Sequence, residues 1–310
     1  MQGSFKALHI VYLTTKKSIQ ENHMNNSDDP KPISVQGNVT NSLAELPWWL
    51  LILALSGIFL GYSFYADQTY NEIFRFVSEG LFVTVRVTLI AYAFAITIGL
   101  CAGLGRVSKN IIIYNVATLY VQVMRGLPIL VNILYVAFVI IPAIVTLINS
   151  FGAYLADINL LGPENIFVQL GDRRAGMDVS FEVRAIIALA ISYGAFSAEI
   201  FRAGIESIGR GQMEAARSVG MSYIQAMRHI ILPQAVRRVL PPLGNDFIAM
   251  LKESSLVSAL GVQDITRLGQ LYAATSFQYL KTYNVVAFMY LTMTILLSLG
   301  VKGMEKRLKQ

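Results

Sequence analysis

Apolar runs close to the length of a bilayer-crossing helix recur along this chain, and they leave few folds open to it. A spanning helix needs about 20 predominantly apolar residues, and windows such as 81–105 and 183–203 meet that requirement. Over 310 residues, 55% are hydrophobic and only 14% are charged, whereas soluble domains carry roughly 25% charged residues. In lipid every backbone polar group must be satisfied internally, so only helices or closed barrels can span. The alternating pattern of a barrel strand is absent. The fold class is therefore an all-α polytopic membrane protein.

Six spans are expected. Residues 1–46 are polar, with Asn25–Asp29 and Asn38–Ser42 as examples, and they read as a disordered tail. No cleavable signal peptide opens it. Pro47-Trp48-Trp49 starts a first span over 47–65, its tryptophans suited to the headgroup region. The second span covers 81–105. The third, 112–148, is long enough to require a break, with Pro128 and Pro142 as the candidates. A polar connection over 150–182 leads to spans at 183–203, 239–261 and 283–301, the fifth opened by Pro241-Pro242 in its first turn.

The basic residues give an orientation. With the N-terminus inside, cytoplasmic segments hold sixteen Lys and Arg against six on the other side, while Arg86, Arg125 and Lys252 fall in or at the edges of spans. The positive-inside bias thus puts both termini and the 204–238 loop in the cytoplasm, and 150–182 outside. This distribution accounts for the basic pI near 9.3 without nucleic acid. The only cysteine, Cys101, lies in an apolar run and reads as a packing residue, so no disulfide forms within the chain.

The 204–238 loop is unusual because it is charged and helix-forming between two spans. It reads Glu214-Ala215-Ala216, three residues, Gly220, nine residues, then Ile230-x-Leu232-Pro233. Gly220 is suited to the left-handed residue that ends a short helix. Ser222 can cap a second helix over 222–231, stopping before Pro233. The two alanines would let another surface approach closely, with Glu214 and Arg217 at the rim. An amphipathic connector lying on the membrane is the plainer alternative.

This order of residues matches every fixed position of the signature loop of bacterial ABC-importer permease subunits. Tyr193–Ile205, Leu240–Leu256 and Arg125–Val131 further resemble the polar amino-acid group, of histidine, glutamine and arginine type. The resemblance covers roughly 80–308 and implies a type I importer permease fold with one extra leading helix, 47–65, in a cell (inner) membrane. It implies that two cytoplasmic ABC ATPase subunits dock on Glu214, Ala215, Ala216 and Gly220. It further implies a second permease subunit, identical or sister, and an extracytoplasmic amino-acid-binding protein that delivers the substrate. The 150–182 loop is longer than usual for the group. A bulky charge at Ala216 is expected to uncouple or prevent docking while leaving the spans folded.

Polar residues inside spans mark structure or a path, since each is costly in lipid. Asp246 and Glu253 lie seven apart, on one helical face of the fifth span, with Asn245 and Lys252 on the neighbouring face. Asp246 and Lys252 point about 120° apart, poor geometry for an internal pair. Asp246 either meets the ammonium of an amino acid or pairs with a basic residue such as Arg125. In the resembled group this tract belongs to the substrate-lining helix. Asn132 and Arg125 are either interhelical contacts or substrate contacts, and Lys252 is a candidate for the gate. Glu199, Arg202 and Glu206 have the spacing of an ion-pair ladder on one helix. Gly57/Gly61 and Gly99/Gly103 have the spacing of close helix packing.

Other chemistries lack their parts. No Gly-Lys-Ser/Thr phosphate loop is present, so ATP would be hydrolysed by another chain. His9, His23 and His229 are scattered, and neither a metal motif nor a catalytic constellation surrounds them, so no cofactor, metal or enzymatic activity is expected. An ATP-independent channel or ion-coupled carrier leaves the Glu214–Pro233 pattern unexplained. An importer of opines or another amino compound is a closer competitor.

Overall fold

The computed structural model describes residues 48–157 and 179–308. The expected tail, His9, His23 and most of the 150–182 connection, with Arg173 and Arg174, lie outside the described residues. The chain divides into two units, residues 1–55 and 56–310. Of the first, the described part is the helical stretch that begins at Trp48.

Among the described residues all regular structure is helical. Helix α1 (Trp48–Ala66) gives way at Asp67 to the long α2 (Gln68–Val107). The Asp67 carboxylate accepts from the Thr69 N–H at 2.8 Å and caps α2. The helix therefore starts well before the expected span at 81. Asn110 caps α3 (Ile111–Gly126) in the same way, accepting from the N–H groups of Ile112 and Ile113. Then α4 (Ile129–Tyr135), a π turn (Val136–Ile140) and α5 (Ile141–Asp157) form one continuous path.

The two candidate breaks in the third span behave differently. At Pro128 the helix does break: Leu127 takes extended backbone, φ −104° and ψ 148°, as a residue before proline prefers. Pro142 breaks nothing. The π turn just before it widens the backbone, with the Ile141 N–H bonding to the Val136 carbonyl. That leaves the Ala137 carbonyl without a helical donor, because Pro142 has no N–H. The Arg184 guanidinium of α6 (Phe181–Glu206) donates to it at 3.1 Å.

The same device recurs later. After α7 (Arg210–Ser218), α8 (Tyr223–Ala226) runs through a π turn (Met227–Ile231) directly into α9 (Leu232–Glu253). The expected second loop helix thus does not stop before Pro233. The wide turn, with Leu232 N–H bonded to the Met227 carbonyl, accommodates that proline. Pro241 and Pro242 lie inside α9 rather than in its first turn. A 3-10 turn (Ser254–Leu260), α10 (Ile265–Ser276) and α11 (Tyr279–Leu308) complete the described fold.

Among the described residues, four paths are long and apolar enough to cross a membrane: Gln68–Val107, Ile129–Leu155, Phe181–Glu206 and Tyr279–Arg307. They contain the cores of the expected second, third, fourth and sixth spans. The fifth corresponds to the charged α9, and the first to α1, whose apolar portion is Leu55–Ala66.

The most extensive packing joins α2 to α6. Small residues permit it, since lipid supplies no hydrophobic drive between helices and close backbone approach must serve instead. A Cβ on Gly99 would lie 2.6 Å from that of Ser197, and one on Gly103 would lie 2.8 Å from that of Phe201. This pair thus packs within the chain, whereas Gly57 and Gly61 have no such neighbour within 4 Å. The main core gathers Val87, Tyr92, Ile133, Leu189, Met250 and Val257 from α2, α4, α6, α9 and the 3-10 turn.

Candidate functional site

Three places carry chemistry, and two of them share α6 and α9. The first is the connection between these helices. Helix α7 ends in a Schellman motif: Met221 N–H bonds to the Ala216 carbonyl at 3.2 Å, and Gly220 N–H to that of Arg217 at 3.1 Å. Gly220 has φ +85°, the left-handed conformation that a side chain would strain. Ser222 and Gln225 then form a reciprocal capping box at the start of α8. Helix, reversal and helix appear where the residue pattern puts them.

The loop has an inner and an outer face. Its inner face closes a small core of Ile208, Ile231 and Ala235 with Met213, Met227 and Ile230. Ala216 belongs inside, at 2% exposure, whereas Glu214 and Ala215 are exposed. A charge at Ala216 would therefore disturb the loop itself, and docking through it, from the inner face. The outer face carries Val219 (76% exposed), Tyr223 (56%) and Ile224 (75%), three apolar side chains around Gly220. They were missed in the sequence, though apolar residues beside the glycine of a charged loop were the available signal. Arg238 of α9 donates to the Ser207 carbonyl, tying the loop's entry to its exit helix.

The second place lies between α6 and α9. Ser197 Oγ donates to Asp246 Oδ2 at 2.9 Å, and Tyr193 OH donates to Glu253 Oε2 at 2.8 Å. Residues 193 and 197 are one turn apart on α6, and 246 and 253 are two turns apart on α9, so the two contacts share one seam. Tyr92 of α2 donates to the Leu243 carbonyl at 2.5 Å and packs on Phe247, closing the seam's third side. Among the described residues neither carboxylate has a basic partner.

The third place is a knot of charges toward the end of α6. Glu199 accepts from Arg106 of α2 and Arg202 of its own helix, and Arg125 of α3 comes within 3.6 Å. Arg202 also pairs with Glu206. The ladder expected within one helix is present, and it is extended across three. The Arg125 guanidinium also lies 5.5 Å from the centre of the Phe196 ring. Arg125 thus pairs with Glu199 and leaves Asp246 to Ser197. Asn132 is buried, and its amide donates to the Met124 carbonyl at 2.7 Å, bridging α4 to the end of α3 across the Pro128 break. Lys252 is exposed. Among the described residues no three His, Cys, Asp or Glu side chains converge as metal ligands.

With this geometry, comparisons with known proteins become specific. Residues 95–310 match the family model described as "Binding-protein-dependent transport system inner membrane component". A probable glutamine ABC transporter permease protein of Bacillus subtilis (strain 168) is 34% identical over 237 residues, which cover 76% of this chain and 95% of that one. The glutamine transport system permease protein of Escherichia coli (strain K12) is 33% identical, covering 74% of this chain and 92% of that one. A crystal structure of an amino acid ABC transporter with histidines aligns at a TM-score of 0.61 and 33% identity, covering 79% of this chain and 98% of that one. The MetNI methionine ABC transporter shares the fold at a TM-score of 0.56 and 17% identity, covering 76% and 97%. This multi-pass membrane chain therefore belongs to the family of binding-protein-dependent transport system inner membrane components, the permease subunits of ABC importers.

Proposed function

We propose that this chain forms the membrane path for an amino acid and is powered by two separate ABC ATPase subunits that dock on α7–Gly220–α8. The observation that carries this reading is the two-faced loop. Its inner face is locked to α9 through Ile231, Ala235 and the Arg238–Ser207 bond, and its outer face offers Val219, Tyr223 and Ile224 to a partner. Glu214, Ala215 and Gly220 shape that outer face, and Ala216 anchors it from within. A push on the loop is transmitted along α9, the helix that carries Asp246 and Glu253.

The excess of Lys and Arg supports a cytoplasmic placement for this loop and both termini. An extracytoplasmic binding protein would then deliver cargo to the opposite face, and a second permease subunit, identical or sister, would complete the path. The named cargoes of the relatives support an amino acid. Asp246 supports it independently. A carboxylate that meets only a hydroxyl among the described residues, in a polar seam between spans, can receive an ammonium group. Arg125 and Asn132 serve as helix-to-helix contacts, with Glu199 and the Met124 carbonyl, and Lys252 stands at the far end of α9 as a gate residue.

The test is ATP-driven amino-acid uptake by the assembled complex in proteoliposomes, with Val219→Glu in place of the wild type. Val219 is exposed, so the spans should fold and the ATPases should fail to dock or to couple. Wild-type uptake by that variant would defeat the reading.

A further inference from the structure

A groove of about 580 Å³ runs along the outside of the bundle between α2 and α3. Ile98, Cys101, Gly105, Ile112, Val116 and Ala117 are among its lining residues, and Thr97 and Tyr120 are the ones there with polar side-chain atoms. Because Tyr120 OH donates to the Ile191 carbonyl at 2.5 Å, that polar group is already satisfied. Ala117 sits against Gly105, where an added Cβ would lie 3.0 Å away, so the two helices touch beside the groove. The result is an apolar trough with room for one fatty-acyl chain.

Its Gly105–Ile112 end opens at the α2–α3 turn, where the charge is positive. Arg106 is committed to Glu199, but Lys109 is exposed and has no acidic partner among the described residues. Here Asn110 caps the beginning of α3, where the helix dipole adds positive character. Apolar trough and basic mouth together match one kind of molecule, with a hydrocarbon tail and an anionic head.

We propose that this groove holds an acyl chain of an anionic phospholipid, its phosphate held at Lys109. The placement in the cytoplasmic leaflet rests on the orientation proposed above, and anionic lipids attract basic residues at that surface.

The purified complex in phosphatidylcholine nanodiscs, doped with a diazirine-tailed phosphatidylglycerol or a diazirine-tailed phosphatidylcholine, tests this. After illumination, adducts mapped by peptide mass spectrometry should fall in 97–105 and 112–120. They should be about fivefold more frequent with the anionic lipid. Lys109→Gln should remove that preference. Cys101→Trp, which fills the trough from an exposed position, should remove the groove adducts and leave those elsewhere. Equal labelling by both lipids, indifference to Lys109→Gln, or cross-links to a second protein chain at these peptides would each overturn the proposal. Orientation is read separately, by labelling Lys109→Cys in a Cys101→Ser background with an impermeant maleimide. Labelling from outside would refute the leaflet assignment without touching the groove.

Discussion

Two sets of carboxylates sit on the α6 and α9 helices, and they are treated in opposite ways. Glu199 is gripped by Arg106 and Arg202, with Arg125 close by. Among the described residues, Asp246 and Glu253 receive only the hydroxyls of Ser197 and Tyr193. Removing a charge from water is costly unless a partner compensates. Glu199 is compensated within the chain, so its contribution is to tie α2, α3 and α6 together. Asp246 and Glu253 keep a demand for positive charge that the described residues do not meet, and a cationic ligand group would meet it. The difference is what supports proposing Asp246 for the path and Glu199 for a fastening, although both use the same chemical group.

Neutralising each carboxylate tests that separation. Glu199→Gln should have the largest effect, because it leaves three guanidinium groups without their shared partner, two of them at only 12% and 26% side-chain exposure. A loss of about 2 kcal/mol or more is expected, between the values for exposed and buried pairs. It would be read as a lower Tm and weaker assembly in detergent. Asp246→Asn should behave differently. It keeps the Ser197 contact, so stability should stay within about 0.5 kcal/mol of wild type, while uptake falls about tenfold or more from the lost charge-assisted bond. If Glu199→Gln assembled normally and lost only transport, or Asp246→Asn failed to assemble, the distinction would collapse.

A smaller effect is expected where α2 begins. Lys281 of α11 donates to Asp67 at 2.6 Å, and its ammonium holds the Asp67 carboxyl below the usual carboxylate range. A lowered folded-state pKa means that the stabilisation is present above the unfolded value of about 3.9 and is lost as the pH falls below it. A slightly higher Tm for wild type than for Lys281→Gln at pH 7 should therefore shrink in acid. A difference that stayed constant to pH 3 would mean that the lysine acts by packing, for instance through its contact with the Tyr70 ring.

How much of this was legible in the sequence depended on the range of each interaction. The membrane class, the Pro128 break and the Gly220 reversal follow from local rules, since span length, the residue before proline and a left-handed glycine need no distant partner. Pro142 and Pro233 were misread because a π turn lies just before each of them, and nothing local announces such a turn. The ladder on α6 was visible at its i, i+3 and i, i+4 spacings. Its link from Glu199 to Arg106, 93 residues away, was not. Likewise Asp246 and Glu253 were recognisable as misfits in a span, but their Ser197 and Tyr193 partners required the α6–α9 seam to be seen. The inward turn of Ala216 depended on the small core beneath the loop.

The claim on which the rest depends is that this chain supplies a path and another chain supplies the energy. The most direct measurement is amino-acid uptake into proteoliposomes that contain the permease assembly and its binding protein, with and without the ATPase subunits and ATP. Uptake that requires both the ATPase and ATP is the expected result. Uptake by the membrane subunits alone, driven by an ion gradient or by diffusion, would contradict it.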